Sequence, residues 1–426
     1  MIRPTPFWRS VAVLGVAGLV LTACGGDDGD DTTAEPKDDT SSSAAPAAKG
    51  DGTLKIGTLL PQTGSLAFLG PPEFAGVDLA LQDINDAGGV NGKPVGKVDS
   101  DSGDTSTDTA SQSVDRLLSN NVDAIVGAAS SSVSLSVIDK ITGAGVVEIS
   151  PANTSDELTT YDDKGLYFRT APPDVLQGRV LGDLILSDGN STVGILALQD
   201  SYGTGLAKSA TKSVTDGGGQ VVETVIYDPK AASFATEVGK IKAADPEAIA
   251  VIAFDETKKI IPEMVKQGIG PANKKIYFVD GNLANYDKDF PKGTLEGVKG
   301  TLPGVVAGDE FKARLTAMKP DLTEFAYSPE SYDATILVAL AAQAAGDDAG
   351  ESIASKMQEV SEGGTPCESF KDCLALLKDG KDIDYNGVSG PVEFNDKGDP
   401  SKATVGIYQY GADNKYTFLE GKDGEI

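Results

Sequence analysis

From residue 54 onward, short runs rich in β-branched residues alternate with runs whose apolar positions repeat at helical spacing. This alternation predicts parallel strands joined by crossover helices, an α/β fold. The first series places strands at 54–60, 95–101, 123–128, 146–150 and 166–170, with helices at 73–87 and 107–120. In the 73–87 helix, Phe74, Val77, Leu81 and Ile84 share one face. A second series places strands at 192–198, 221–227, 248–254 and 275–279, with helices at 203–216, 234–244 and 257–267. The two series share an architecture but no clear residue-level repeat. A length of 426 residues is too great for one compact domain and comfortable for two.

Within the first series, one stretch carries the functional signal: VGAASSSVSLSVIDKITGAGVVEISPANTSDEL, residues 126–158. It reads as the end of a strand, a serine-rich turn, a helix, a short strand and a second hydroxyl-rich turn. Both turns leave the carboxyl end of a strand, where open parallel sheets bind ligands. Ser131, Ser132 and Thr154 offer hydroxyls, and the turns offer backbone N–H groups suited to a small anion such as a carboxylate. The same residue types also cap helices and close turns without any ligand.

The stretch as a whole resembles the leucine/isoleucine/valine-binding protein family, the branched-chain amino-acid branch of the bacterial periplasmic binding proteins. The resemblance is carried by Gly127, Ser130-Ser131-Ser132, Ser150-Pro151, Thr154 and Glu157-Leu158. The segments IGTLLPQTGSLAFLG, EFAGVDLALQDIN, AGGVNGKPV and GVSGPVEFNDKGDP add to it, so that it covers residue 54 to the C-terminus. It is weakest between 303 and 384. The resemblance implies a two-lobed type I architecture, each lobe a mostly parallel sheet flanked by helices, with three interlobe crossings. Lobe I would comprise 53–171 and 302–390, and lobe II 172–301 and 391–426. Helices at 310–318, 329–345 and 351–360 would return to lobe I. A pair of strands at 392–394 and 404–410 would finish lobe II.

By the same resemblance, a free amino acid is held between the lobes. Its carboxylate would meet the Ser131 and Thr154 hydroxyls and the N–H groups of Ala152, Thr154 and Ser132. Helix-start N–H groups carry partial positive charge, so no cation is needed. Tyr202, opening a helix after a strand, would cover an aliphatic side chain, and Phe254 is the nearest match to a second aromatic contact. The ammonium needs a carboxylate. Asp280 in the loop VDGNLAN matches after a one-residue shift, and Asp255 and Glu256 compete with it. Leu69 stands where some relatives carry an aromatic wall. The family's cysteine pair in the first lobe is missing, with Gly103 and Ser130 in those places.

Residues 1–23 read as a targeting segment. Arg3 and Arg9 precede an apolar run, 11–21, too short to span a bilayer. The run ends in Leu21-Thr22-Ala23-Cys24, which resembles a lipoprotein signal whose Cys24 is lipidated, with two or more acyl chains giving stable anchoring. Residues 24–52 hold almost no large apolar side chain and should form a flexible acidic tether. This predicts a location at the outer face of the bacterial cytoplasmic membrane. Cys367 and Cys373, six apart and outside the cytoplasm, predict a disulfide.

A net charge of −28 argues against nucleic acid as a partner. The chain has no His, which removes Ser-His-Asp and Cys-His catalysis and leaves a metal site short of ligands. Gly387 to Pro391 lacks the last Gly of a nucleophile elbow, and Lys208 replaces the third Gly of a dinucleotide fingerprint after Gly203. Asp99, Asp101 and Asp104 suggest calcium, but Ala110 stands where a closing Glu would be. The reading is a monomeric solute-binding protein without catalytic residues, metal or cofactor, working with an ABC permease by hinge closure. A small aliphatic amino acid is the expected ligand. A non-amino-acid amide, urea or carboxylate, or a purely sensory role on the same fold, are the alternatives.

Overall fold

The computed structural model describes residues 49–426. The targeting segment, Cys24 and most of the tether lie outside them. The chain begins with β1 (Lys55–Leu60), α1 (Gly70–Asp86), β2 (Gly96–Asp101), α2 (Thr109–Ser119), β3 (Ala124–Gly127), α3 (Ser131–Gly143), β4 (Val147–Ser150), α4 (Asp156–Thr159) and β5 (Tyr167–Arg169). These strands form a five-stranded sheet in the order β2-β1-β3-β4-β5, every pair parallel.

The chain then runs through α5 (Asp174–Ser187), β6 (Thr192–Leu198), α6 (Ser201–Asp216), β7 (Gln220–Tyr227), α7 (Ala235–Ala244), β8 (Ala248–Ile252), α8 (Thr257–Gln267), β9 (Lys275–Phe278) and β10 (Lys299–Pro303). It returns to the first lobe with α9 (Asp309–Met318), α10 (Ser328–Ala345), α11 (Gly350–Met357), β11 (Thr365–Cys367), α12 (Phe370–Lys378), β12 (Ile383–Gly387) and β13 (Gly390–Pro391). It ends with β14 (Lys402–Tyr410) and β15 (Tyr416–Glu425). The second sheet has the order β15-β14-β10-β9-β8-β6-β7 and is parallel except at β10·β14 and β14·β15.

The central strands of each sheet are buried on both faces, as crossover helices require, while the edge strands β2 and β15 are more exposed. In the first lobe α10 is buried almost all round and packs on α1, whose first turn carries Pro71 and Pro72. Proline suits that turn because its missing N–H would have no helical partner. The strand order places the carboxyl ends of β3 and β4 next to each other. The two hydroxyl-rich turns therefore meet.

Three departures from the sequence-based expectation stand out. Residues 392–394 form no strand of the second sheet. Val392 and Phe394 bury into the first-lobe core, where Phe394 meets Phe168 edge-on at 5.3 Å, so the chain stays with the first lobe until it enters β14. The terminal strand pair is β14 with β15 instead. The small sheet β11-β12-β13 and helix α12 were not anticipated. They surround the expected disulfide, Cys367–Cys373, which is formed. Among the described residues no helix is long and apolar enough to cross a membrane.

Candidate functional site

Gly127 ends β3 with φ +128°, and a Cβ there would lie 2.1 Å from the carbonyl oxygen of Leu59. Only glycine lets the turn leave the sheet this close to β1. The chain then enters α3, whose first residue, Ser131, ties the two turns together. Its Oγ accepts from the N–H groups of Thr154 and Ser155, each at 3.2 Å. Asn153 clamps the same junction. Its Nδ2 donates to the carbonyls of Ala128 and Ala129 at 2.9 Å, and its Oδ1 accepts from Tyr167 at 3.0 Å. Ser150 donates to the Ala128 carbonyl at 2.6 Å and accepts from Ala152 N–H at 3.2 Å. The Ala152 and Thr154 N–H groups expected to meet a ligand carboxylate thus have protein acceptors, at the long end of the hydrogen-bond range.

Beneath this loop lies Arg169, fully buried. It donates to the Ser155 carbonyl at 2.9 Å and to Asp399 at 2.6 Å. Asp399 belongs to the last crossing between the lobes, so one ion pair fastens the hydroxyl-rich loop to the hinge.

The second lobe supplies the facing wall. After β9 the chain makes a 3₁₀ turn, Asp280–Asn282, held down by Asn282, whose Nδ2 donates to the Val251 carbonyl of β8 at 2.9 Å. This turn buries the Asp280 carboxylate. It accepts from Tyr202 Oη at 2.6 Å, Tyr327 Oη at 2.8 Å and Gln177 Nε2 at 2.8 Å. Burial raises its pKa while the three donors pull it back. Tyr202 stacks on Phe254 with ring centroids 5.5 Å apart and planes 11° from parallel. Gly281 permits that approach, since a Cβ on it would lie 2.7 Å from the Phe254 ring.

Several buried polar atoms lack a well-formed hydrogen bond: Thr154 Oγ1 and both carboxylate oxygens of Asp174, which lie close enough for the Thr154 hydroxyl to favour the ionised Asp174, and Gln177 Oε1. Asp174 neighbours Thr154 and Asp280, and burial followed by the Asp280 charge pushes its carboxyl well above the usual carboxylate range. Native interiors leave few such atoms, and each calls for a partner; Glu73, Glu148, Glu330 and Asp348 elsewhere in the chain carry them too. Leu66, Leu69, Ala129 and Ala152 of the first lobe join the same apolar cluster as Tyr202, Phe254 and Tyr327.

The lobes touch directly. Ser132 Oγ lies 2.9 Å from Ser201 Oγ and accepts from Ser201 N–H at 3.2 Å. The Ser132 side chain therefore bridges α3 and α6.

Of the three candidate acids, only Asp280 faces Tyr202. Asp255 is exposed and pairs with Lys258 at 2.7 Å, while Glu256 accepts from Tyr227 at 2.8 Å. Asp174, Gln177 and Tyr327 were missed. Asp174 follows Pro172-Pro173 at a helix start, which reads as a capping signal in sequence. Tyr327 carries one local signature, a left-handed φ of +59° at the start of α10, visible only in the fold. Among the described residues no group of three or more His, Cys, Asp or Glu side chains could hold a metal ion.

Comparison with known proteins accords with this fold. The sequence pattern of the family described as periplasmic binding protein matches residues 53–397. Leu/Ile/Val-binding protein homolog 1 of Brucella abortus is 27% identical over 378 residues, covering 86% of this chain and 93% of that protein. The branched-chain amino acid transporter substrate-binding protein LivJ of Streptococcus pneumoniae, solved in complex with isoleucine, superposes with a TM-score of 0.71 at 22% identity, covering 88% of this chain and 100% of that one. A solute-binding protein of an ABC transporter from R. palustris, solved with benzoate, gives 0.70 at 18% identity, covering 88% and 97%.

Proposed function

The chain belongs to the periplasmic binding protein family, and from that premise we propose that it captures a small aliphatic amino acid between its lobes and delivers it to an ABC permease. The observation that carries the ligand class is the set of unpartnered buried atoms in the cleft. They offer both polarities an amino acid needs: the Thr154 hydroxyl toward a carboxylate and the Asp174 carboxylate toward an ammonium. A charge taken out of water must be paired and hydrogen-bonded, or its burial costs on the order of several kcal/mol.

In this reading the ligand carboxylate sits at the start of α3 and takes bonds from Ser131, Thr154 and the N–H groups of Ser132, Ala152 and Thr154. The long bonds from Ala152 to Ser150 and from Thr154 to Ser131 give way to it. Asp280 and Asp174 receive the ammonium. Tyr202 and Phe254, with Leu66 and Leu69 opposite, enclose the aliphatic side chain. An aromatic carboxylate such as benzoate would fill the apolar space but make no use of Asp280 and Asp174, which weighs against that alternative. Ligand binding closes the lobes about the three crossings, and the Ser132–Ser201 contact seals the closed form. No step of chemistry is required of the site.

The lobe boundaries that fit this motion fall after Arg169, after Pro303 and before Lys402. Cys24 is read as the lipidated residue that holds the protein, as a monomer, at the outer face of the cytoplasmic membrane. Cys24→Ser should release it from the membrane fraction. Thermal unfolding against amino acids, their amides and small carboxylates tests the ligand class, because a ligand that binds only the native state raises the transition. A rise with leucine, isoleucine or valine, reduced by Thr154→Ala or Ser131→Ala, supports the assignment. A rise only with non-amino-acid ligands overturns it.

A further inference from the structure

A second cavity, of about 290 Å³, lies at the hinge between the end of β10, the segment leading into α10, and β14 and β15. Its wall is aromatic and acidic: Phe325, Tyr408 and Tyr416 line it with Glu324 and Glu330. Glu330 is 2% exposed, and its Oε1 has no hydrogen-bond partner. The acids that face it, Glu73 of α1 and Asp333 one turn along α10, add repulsion, and no Lys or Arg pairs with Glu330 among the described residues. Lys312, also on the wall, forms no ion pair among the described residues and lays its ammonium 5.8 Å from the Phe325 ring centre. The aromatic mouth thus already draws a cation.

The cavity is tied to the hinge at three points. The Glu330 carbonyl accepts from Thr170 Oγ1, on the first crossing, at 3.0 Å. Glu330 Oε1 rests against Gly304, on the second crossing, where a Cβ would lie 1.9 Å away. Tyr327 lines the cavity and donates to Asp280 in the main cleft.

We propose that this hinge cavity is a second binding site, for a small organic cation of the alkylammonium class, and that its occupation favours the closed form. The aromatic faces and the unpaired Glu330 carboxyl recognise the cation, whose charge favours the ionised form that burial disfavours, and the volume suits a few heavy atoms rather than a bare metal ion. Elements of both lobes form the wall, so a bound cation holds them together. The proposal does not depend on what the main cleft takes.

Calorimetric titration of the full chain with propylammonium chloride tests it, with small-angle scattering as a second readout. Binding at one site, accompanied by compaction, is expected. Glu330→Gln should weaken that binding at least about tenfold, the scale of one charge-assisted hydrogen bond. Asp174→Asn, which alters the main cleft and bonds to no residue of this cavity's wall, should leave it in place. Phe325→Leu, at a half-buried position, should weaken it several-fold and keeps the test decisive if Glu330→Gln does not fold. Absence of binding overturns the proposal. So does binding that survives Glu330→Gln and Phe325→Leu but is lost in Asp174→Asn, which would place the cation in the main cleft, and so does binding without compaction.

Discussion

Tyr327 donates its phenol to Asp280 Oδ2 at 2.8 Å, reaching from the start of a first-lobe helix to the floor of the second lobe. With Tyr202 and Gln177 it makes Asp280 the end point of three donors from three separate elements. These bonds favour the ionised carboxylate against the cost of burial. Tyr327→Phe removes one of them and should weaken amino-acid binding by about 1–2 kcal/mol, with little change in thermal stability. Calorimetric titration of the variant beside the wild type checks this.

Asp174 gives a pH dependence. Its carboxyl is held well above the usual range, so in the free protein it stays protonated from that range up to its raised value. A ligand ammonium stabilises the ionised form and lowers that value again. Binding then releases a proton, and affinity rises with pH through this window by up to about tenfold per pH unit, levelling off above it. Titrations in two buffers of different ionisation heat should show the release. Asp174→Asn should abolish it.

Arg169 and Asp399 form a fully buried pair that also anchors the Ser155 carbonyl. Removing one partner strands a charge, so Asp399→Asn should destabilise the protein by about 3–5 kcal/mol. It should also loosen the loop that carries Thr154 and weaken ligand binding. Denaturant unfolding measures the first effect and titration the second. A variant that lost stability with unchanged affinity would show that the pair holds the hinge without positioning the loop.

The Cys367–Cys373 disulfide closes a short loop on the first lobe, with Cys373 packed in that lobe's core. Reduction should lower stability by about 2 kcal/mol in the chain-entropy view. Ligand affinity should not change, because neither cysteine touches the cleft residues. Parallel unfolding and binding measurements with and without reductant separate the two effects.

What was legible in the sequence follows the range of the interactions. The β3–α3–β4 stretch was readable because strand, cap, helix and turn are local and its hydroxyls lie within 30 residues of one another. Asp280 was reachable through resemblance alone, and Asp255 and Glu256 stayed open beside it, since only the folded chain shows which carboxylate faces Tyr202. Gln177 and Tyr327 were not legible. Their bonds to Asp280 span 103 and 47 residues and depend on how the two lobes meet. The misplaced strand at 392–394 has the opposite cause. The family resemblance implies a second-lobe strand there, while burial of Phe394 against Phe168 keeps the run with the first lobe.

Calorimetric titration with leucine, leucinamide and 4-methylpentanoate tests most directly that the cleft holds a zwitterion at both ends. Leucinamide lacks the carboxylate, and 4-methylpentanoate lacks the ammonium. Leucine should bind, and each analogue should bind at least about a hundredfold more weakly, the scale expected when buried polar groups are left unpaired. If 4-methylpentanoate bound as tightly as leucine, the Asp280–Asp174 ammonium site would be contradicted.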